Sequence, residues 1–347
     1  MLKVAVLDDF IISDTFNQLT KKHIDVIKLN TDYKGSLPDL THGTVVAAIF
    51  SEFAEADSII GVSLGNDIGE ITTGNFVTAL NWCMNNRIDL ICMSFGTIDF
   101  IEFEAFASLI IKLADAGVVM IAAGLNTNKI TYPASLPQVI GVKYTDLLSN
   151  GKFTICTYEK DGIDIKSSLP DSKIINALKD INDDFSGASN SLVTPYIGGL
   201  ITQYISKKNK RRVSSIHRNL CLSKFYSNSR ITKEHYERNS SIPIISITGC
   251  LDFVLSLQRK FIKENFLSSV LSPVITTDYY KNIFSINKNE IEEAVNTYAK
   301  LCSADIIFVH NPDNNYCASN WSDVALEATS NIDECFNYLL TKLEYEV

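Results

Sequence analysis

The chain has 347 residues, and 31 Lys+Arg against 40 Asp+Glu give a net charge of −9, with 46% hydrophobic and 20% charged residues. This is globular composition, enough for one large or two medium domains with proper cores. The acidic balance argues against coating nucleic acid or an anionic membrane, and polar residues break every apolar run before the roughly 18 residues a bilayer span needs.

In chain order, short apolar runs at 3–7, 25–29, 58–62, 89–93, 118–122 and 138–142 predict buried strands. Between several of them, as at 75–84 and 101–116, apolar residues recur at i, i+3, i+4 and predict helices. Strand and helix in alternation predict an α/β fold, a parallel sheet sandwiched by helices. Functional groups in such sheets gather at the carboxyl ends of strands. The basic run KKNKRR at 207–212 reads as a solvated break rather than a nucleic-acid patch. Charge divides there too: residues 1–205 carry 14 basic and 24 acidic groups, and 206–347 carry 17 and 16. A second, smaller α/β pattern follows, with strands predicted at 243–248, 273–277 and 305–310 and helices at 253–266, 288–302 and 331–343. The predicted organisation is a first domain over 1–206, a connecting segment over 207–240 and a second domain over 241–347.

Met1 to Leu7 runs into Asp8 and Asp9 with no cleavage site, so no signal peptide is read. The eight cysteines (83, 92, 156, 221, 250, 302, 317 and 335) form no CxxC and none stands beside a histidine at ligand spacing. They read as buried thiols in a reducing compartment, and the expected location is cytoplasmic.

Nucleophilic hydrolysis needs a hydroxyl, an imidazole to take its proton and a carboxylate to hold the imidazole. Of the five histidines, His23 and His42 fall in the first domain. His23 follows Lys21 and Lys22 on a polar stretch, which suits the surface. His42, in LTHGTVVAAIF, opens an apolar helix. Asp8 ends the first strand, as an orienting carboxylate or as a helix cap. Ser189 and Ser191 precede Pro195 and an apolar helix, and each could equally be a helix cap.

Taken in order, VAVLD, HGTVVA and GASNSLVTPYIGG resemble the three signatures of the subtilase family of serine peptidases, over about residues 2–205. AAGLNTNKITYPA is similar to that family's oxyanion-hole segment and the Tyr-Pro-Ala turn behind it. The resemblance implies a subtilisin-like fold and a serine endopeptidase. Asp8 would orient His42, His42 would be the general base, and Ser191, four residues before Pro195, would be the nucleophile in preference to Ser189. Ser94, Phe95 and Gly96 on one side, and Ala123 and Gly124 on the other, would flank the substrate backbone, with a small or hydrophobic residue before the scissile bond.

Five positions depart from the family. Leu125 stands where the oxyanion-donating Asn is usual, leaving Asn126 one residue late unless a bulge returns it. Val45 replaces a second histidine, Phe10 replaces a glycine, and Ser189 and Asn190 stand where Gly and Thr are common. No propeptide and no calcium loops are recognised, so no cofactor and no metal are expected.

A bare cytoplasmic subtilase joined to a small α/β domain resembles the peptidases of peptide-maturation gene clusters. The expected function is a narrow-specificity processing peptidase that removes a leader from a peptide precursor. The alternative is a weak or inactive pseudopeptidase that binds peptides as a scaffold. In the second domain the turn at Gly249 has the shape of a phosphate-binding loop, but Val254, Leu255 and Ser256 occupy its chemical positions. A degenerate P-loop-like fold, left to peptide recognition or homo-oligomerisation, is the expectation.

Overall fold

Strand β1 (Lys3–Asp8) is buried along nearly its whole length, which is why it reads as an unbroken apolar run rather than an alternation. In the computed structural model the described residues are 2–29, 38–66, 68–156, 159–181, 188–208, 211–228, 241–312, 321–328 and 331–343. Two units emerge. The first comprises Met1–Thr97, Ala105–Thr127 and Thr131–Thr232, and the second Ile98–Glu104, Asn128–Ile130 and Lys233–Val347.

The first unit is built on eight strands in the order β2-β3-β1-β4-β5-β6-β8-β7. These are β2 (Asp25–Lys28), β3 (Ser58–Ser63), β4 (Leu90–Met93), β5 (Val119–Ala123), β6 (Val139–Tyr144), β7 (Phe153–Ile155) and β8 (Ile165–Ser167). All pair in parallel except β7 with β8. From β1 the chain runs out to the edge strand β2, returns to β3 between the two, and then crosses over β1 to β4. The strand order therefore reverses beside β1, and Asp8 ends that strand. A crevice outside the carboxyl ends of strands at such a reversal is where open α/β sheets hold their ligands.

Helix α2 (His42–Phe53) and helix α6 (Asn190–Lys208) share one face of this sheet, in a core with Val4, Val6, Cys92 and Ile121. They run side by side in the same direction. A Cβ on Gly198 would lie 2.9 Å from the Phe50 ring, and one on Gly199 would lie 2.7 Å from Phe53 Cβ and 3.0 Å from Phe50 O. Only glycine permits that approach. Eight residues back from Phe50 is His42, and eight back from Gly198 is Asn190, so the two helices begin at the same end. Burying side chains such as Phe50, Val193 and Ile197 stabilises this contact by about 1.5–3 kcal/mol each.

The strands predicted from the sequence lie within a residue or two of those observed in this unit. Helices α3 (Thr73–Asn85) and α4 (Phe100–Asp115) match as well. Within the expected connecting segment, helix α7 (Val213–Cys221) buries Ile216 and Leu220 completely in the first unit's core. Residues 229–240 of that segment, residues 185–187 and Cys317 lie outside the described residues.

Among the described residues the second unit has five parallel strands in the order β11-β10-β12-β9-β13. They are β9 (Ile244–Thr248), β10 (Ser268–Ser272), β11 (Ile283–Ser285), β12 (Ile306–Asn311) and β13 (Val324–Glu327). Helix α8 (Leu251–Lys263) packs Val254, Leu257 and Phe261 into a core with Ile247, Phe308 and Phe336. Val254 therefore serves the core at a position where a phosphate-binding loop would need other chemistry.

One strand expectation needs correcting. The strand predicted over 273–277 lies instead at Ser268–Ser272. Its two leading serines hide the apolar run, and burial is made tolerable by bonding: Ser268 O accepts from Gln258 Nε2 (3.1 Å) and Asn282 Nδ2 (2.9 Å). Pro273, which has no N–H to give to a ladder, follows its last residue. Among the described residues no helix is long and apolar enough to cross a membrane.

Candidate active site

Asp8 leaves β1 with 2% of its surface exposed, and His42 Nδ1 donates to its Oδ1 at 2.8 Å. Local sequence explains the meeting. Thr41 caps α2 by accepting from Thr44 N–H (3.3 Å), and its hydroxyl donates to Phe10 O at 2.6 Å. The helix start is thus tied to the chain leaving β1. Asp9 adds a second tie, since its Oδ1 accepts from the N–H groups of Gly43 (2.7 Å) and Phe10. Gly43 must be glycine here: a Cβ would fall 2.7 Å from Phe10 O and 2.8 Å from Asp8 Cβ. His23, by contrast, lies exposed beside Asp25.

Asp8 Oδ1 also accepts from Asp9 N–H at 2.9 Å, while Oδ2 is buried with no partner among the described residues. The electrostatics follow. Burial works to lower the pKa of His42, but the Asp8 charge, the hydrogen bond to it and the Asp9 charge together raise it from 6.5 to about 9. Burial and the Asp8 charge push the Asp9 carboxyl upward. Asp8, Asp9 and His42 also bring one ligand atom each within 4.8 Å of the others. Their bonds to one another and to the backbone account for that grouping without an ion.

A base must be neutral to take a proton, so the rate should climb with pH through the His42 pKa. Peptide cleavage is expected to increase by about fiftyfold between pH 7 and 9 and to level off, about twofold higher, above about pH 10. Asp9→Asn, which keeps an acceptor for Gly43 and Phe10 but removes a charge, should move that limb to lower pH. Stability should change oppositely. A folded-state pKa above the ordinary 6.5 favours the fold most below 6.5, and that contribution is lost as pH rises through about 9. A pH–rate profile and melting curves over the same range check both, and a limb centred below 7 in the unaltered protein would contradict the raised His42 value.

Ser191 occupies the first turn of α6, where backbone N–H groups have no partner within the helix. Its Oγ lies 3.0 Å from Ser189 Oγ, and among the described residues its side chain is bonded there rather than to His42. Both serines are half-buried.

The segment expected to bind substrate sits at the neighbouring strand ends. β4 pairs with β5 through Met93 and Ala122, which places 94–96 beside 123–126. Gly96 allows close packing, because a Cβ would lie 2.7 Å from both Thr131 Cγ2 and Tyr132 O, and 3.6 Å from Ala123 O. Thr131 and Tyr132 therefore fill the space beside Gly96. The rings of Phe95 and Phe76 of α3 meet edge to face, with centroids 5.1 Å apart. Ser94 Oγ is buried without a hydrogen-bond partner among the described residues.

Asn126 is brought beside the serine turn. Its Oδ1 accepts from Asn190 N–H at 3.0 Å, which leaves the Nδ2 end of the amide to donate elsewhere. Asn190 also donates from Nδ2 to Gly124 O (2.8 Å) and Leu125 O (2.7 Å). Two consecutive carbonyls facing one amide cannot belong to an extended strand, whose carbonyls alternate. The chain has thus left the extended conformation of β5, which ends at Ala123, and bulges at Gly124 and Leu125. The identity of Asn190 offered no sequence signal for this role beyond its departure from the usual threonine.

Residues 2–238 match the profile of the Subtilase family. Subtilisin DY of Bacillus licheniformis is 25% identical over 227 residues, covering 59% of this chain and 78% of the relative. Two solved structures are similar to part of this chain at low identity. The prenylagaramide maturation protease PagA is 21% identical, with 60% of this chain and 77% of that one covered and a TM-score of 0.40. A lanthipeptide protease is 15% identical, with 62% and 78% covered and a TM-score of 0.42.

Proposed function

The chain belongs to the subtilase family and is a serine-type endopeptidase, and from that premise we propose that Asp8, His42 and Ser191 are its catalytic triad and that it processes a peptide precursor with narrow specificity. The observation that carries the reading is the part-buried Asp8–His42 bond at the end of the sheet where α6 begins, with Ser191 in its first turn. His42 donates from Nδ1 to Asp8, so Nε2 faces the other way as the base. Ser191 Oγ attacks the scissile carbonyl while its proton passes to Nε2. The negative oxygen that forms is met by Ser191 N–H and Asn126 Nδ2. His42 then gives its proton to the departing amine, and water attacking the acyl-enzyme releases the acid. The described cysteines are all free, which suits a reducing cytoplasm.

Narrow specificity is supported by the filled space beside Gly96, which favours a small side chain before the scissile bond. The test is cleavage of a diverse peptide library, read by mass spectrometry. Few cleavage sites, with small residues preceding them, are expected. Broad digestion of denatured casein after large aromatic residues would overturn the processing reading and leave a general peptidase.

A further inference from the structure

The family motif places threonine before the serine, whereas this chain has Asn190, and that side chain is 6% exposed with every polar atom engaged. Its Oδ1 accepts from Tyr144 N–H at the end of β6 (2.7 Å), and its Nδ2 supplies Gly124 O and Leu125 O. Its own N–H goes to Asn126 Oδ1, and its C=O accepts from Thr194 Oγ1 at 2.7 Å. One residue thus joins the start of α6, the end of β6 and the bulge at Leu125. Two further bonds hold the same loop: Gly124 N–H donates to Val142 O (2.9 Å) and Leu125 N–H to Thr131 Oγ1 (3.1 Å).

We infer that Asn190 is the positioning residue of the oxyanion site: by clamping the carbonyls of Gly124 and Leu125 it absorbs the extra residue and sets the Asn126 amide beside Ser191. The inference rests on the triad reading above. Asn190 touches neither substrate nor the reacting atoms, and it acts through Asn126. Leu125 and Asn190 form one device: the inserted residue displaces the donor along the chain, and the clamp returns it.

The test is the rate of Ser191 acylation by a fluorophosphonate probe, measured per folded molecule on the full chain. Asn126→Ala is expected to slow it by about 10²–10³-fold, the usual cost of an oxyanion donor. Asn190→Ala should slow it by tenfold or more, on the order expected for a misplaced catalytic group. The double variant should be no slower than Asn126→Ala, because a residue acting only through Asn126 adds nothing once that amide is gone. Asn190→Asp preserves shape and the bond from Tyr144 but replaces the paired donor with an oxygen, so it should match Asn190→Ala. It also carries the test if the alanine variant does not fold.

Losses that multiply in the double variant would overturn the inference in favour of a general structural role. Full-rate labelling of Asn190→Asp would do the same. Full-rate labelling of Asn126→Ala would overturn it too, since nothing would remain to be positioned, while an unlabelled Ser191→Ala would still leave the triad standing. Labelling of Ser191→Ala at the normal rate would instead remove the triad reading itself.

Discussion

Replacing Ser191 with alanine is expected to abolish labelling by a fluorophosphonate and to lower peptide cleavage by a factor on the order of 10⁶. The argument begins with position. Ser191 stands in the first turn of α6, four residues before Pro195, and α6 starts at the same end as α2 with His42. His42→Ala should cost about as much, since members of a triad act as a unit. Asp8→Asn should cost about 10⁴-fold by offering His42 the wrong partner. Ser189 is the internal rival, its hydroxyl 3.0 Å from that of Ser191. Peptide mapping of the adduct separates the two: an adduct on Ser189 in the unaltered protein would reassign the nucleophile. No adduct on folded protein would mean a cleft that binds peptides without cutting them.

The second large effect concerns Asn126. Asn126→Ala should lower kcat by about 10²–10³ with little change in KM, because an oxyanion donor acts on charge that develops only in the transition state. Leu125→Asn gives the converse. It restores the family's usual residue to its usual place in the sequence, yet the rate should stay close to that of the unaltered protein. The Leu125 backbone is already committed to Asn190 and Thr131. A large gain in Leu125→Asn would show that the bulge does not deliver Asn126 and that the unaltered site lacks its donor.

Much of the first unit was legible because its signals are local. Continuous apolar runs identify parallel strands buried on both faces, and β1, β4 and β5 are of that kind. Asp8, His42 and Ser191 could be selected because each stands in a short motif whose neighbours repeat the family's spacing. The strand at Ser268–Ser272 escaped because two serines break its apolar signal, and the burial of Ser268 is met by bonds with Gln258 and Asn282, which lie outside the strand. Helix α7 escaped behind a basic run, although Ile216 and Leu220 commit it to the core.

From residue order alone came the α/β alternation, the family resemblance, the candidate triad and the anomaly at Leu125. Each is a matter of residue type and spacing along the chain. Where Asn126 lies relative to the serine turn was decided by the tertiary structure, through the bonds Asn190 makes to Gly124, Leu125, Asn126 and Tyr144. Those partners lie 46 to 66 positions from Asn190. A hydrogen bond is directional and extends only about 3 Å, so pairing across such separations exists only once the sheet has brought its strand ends together.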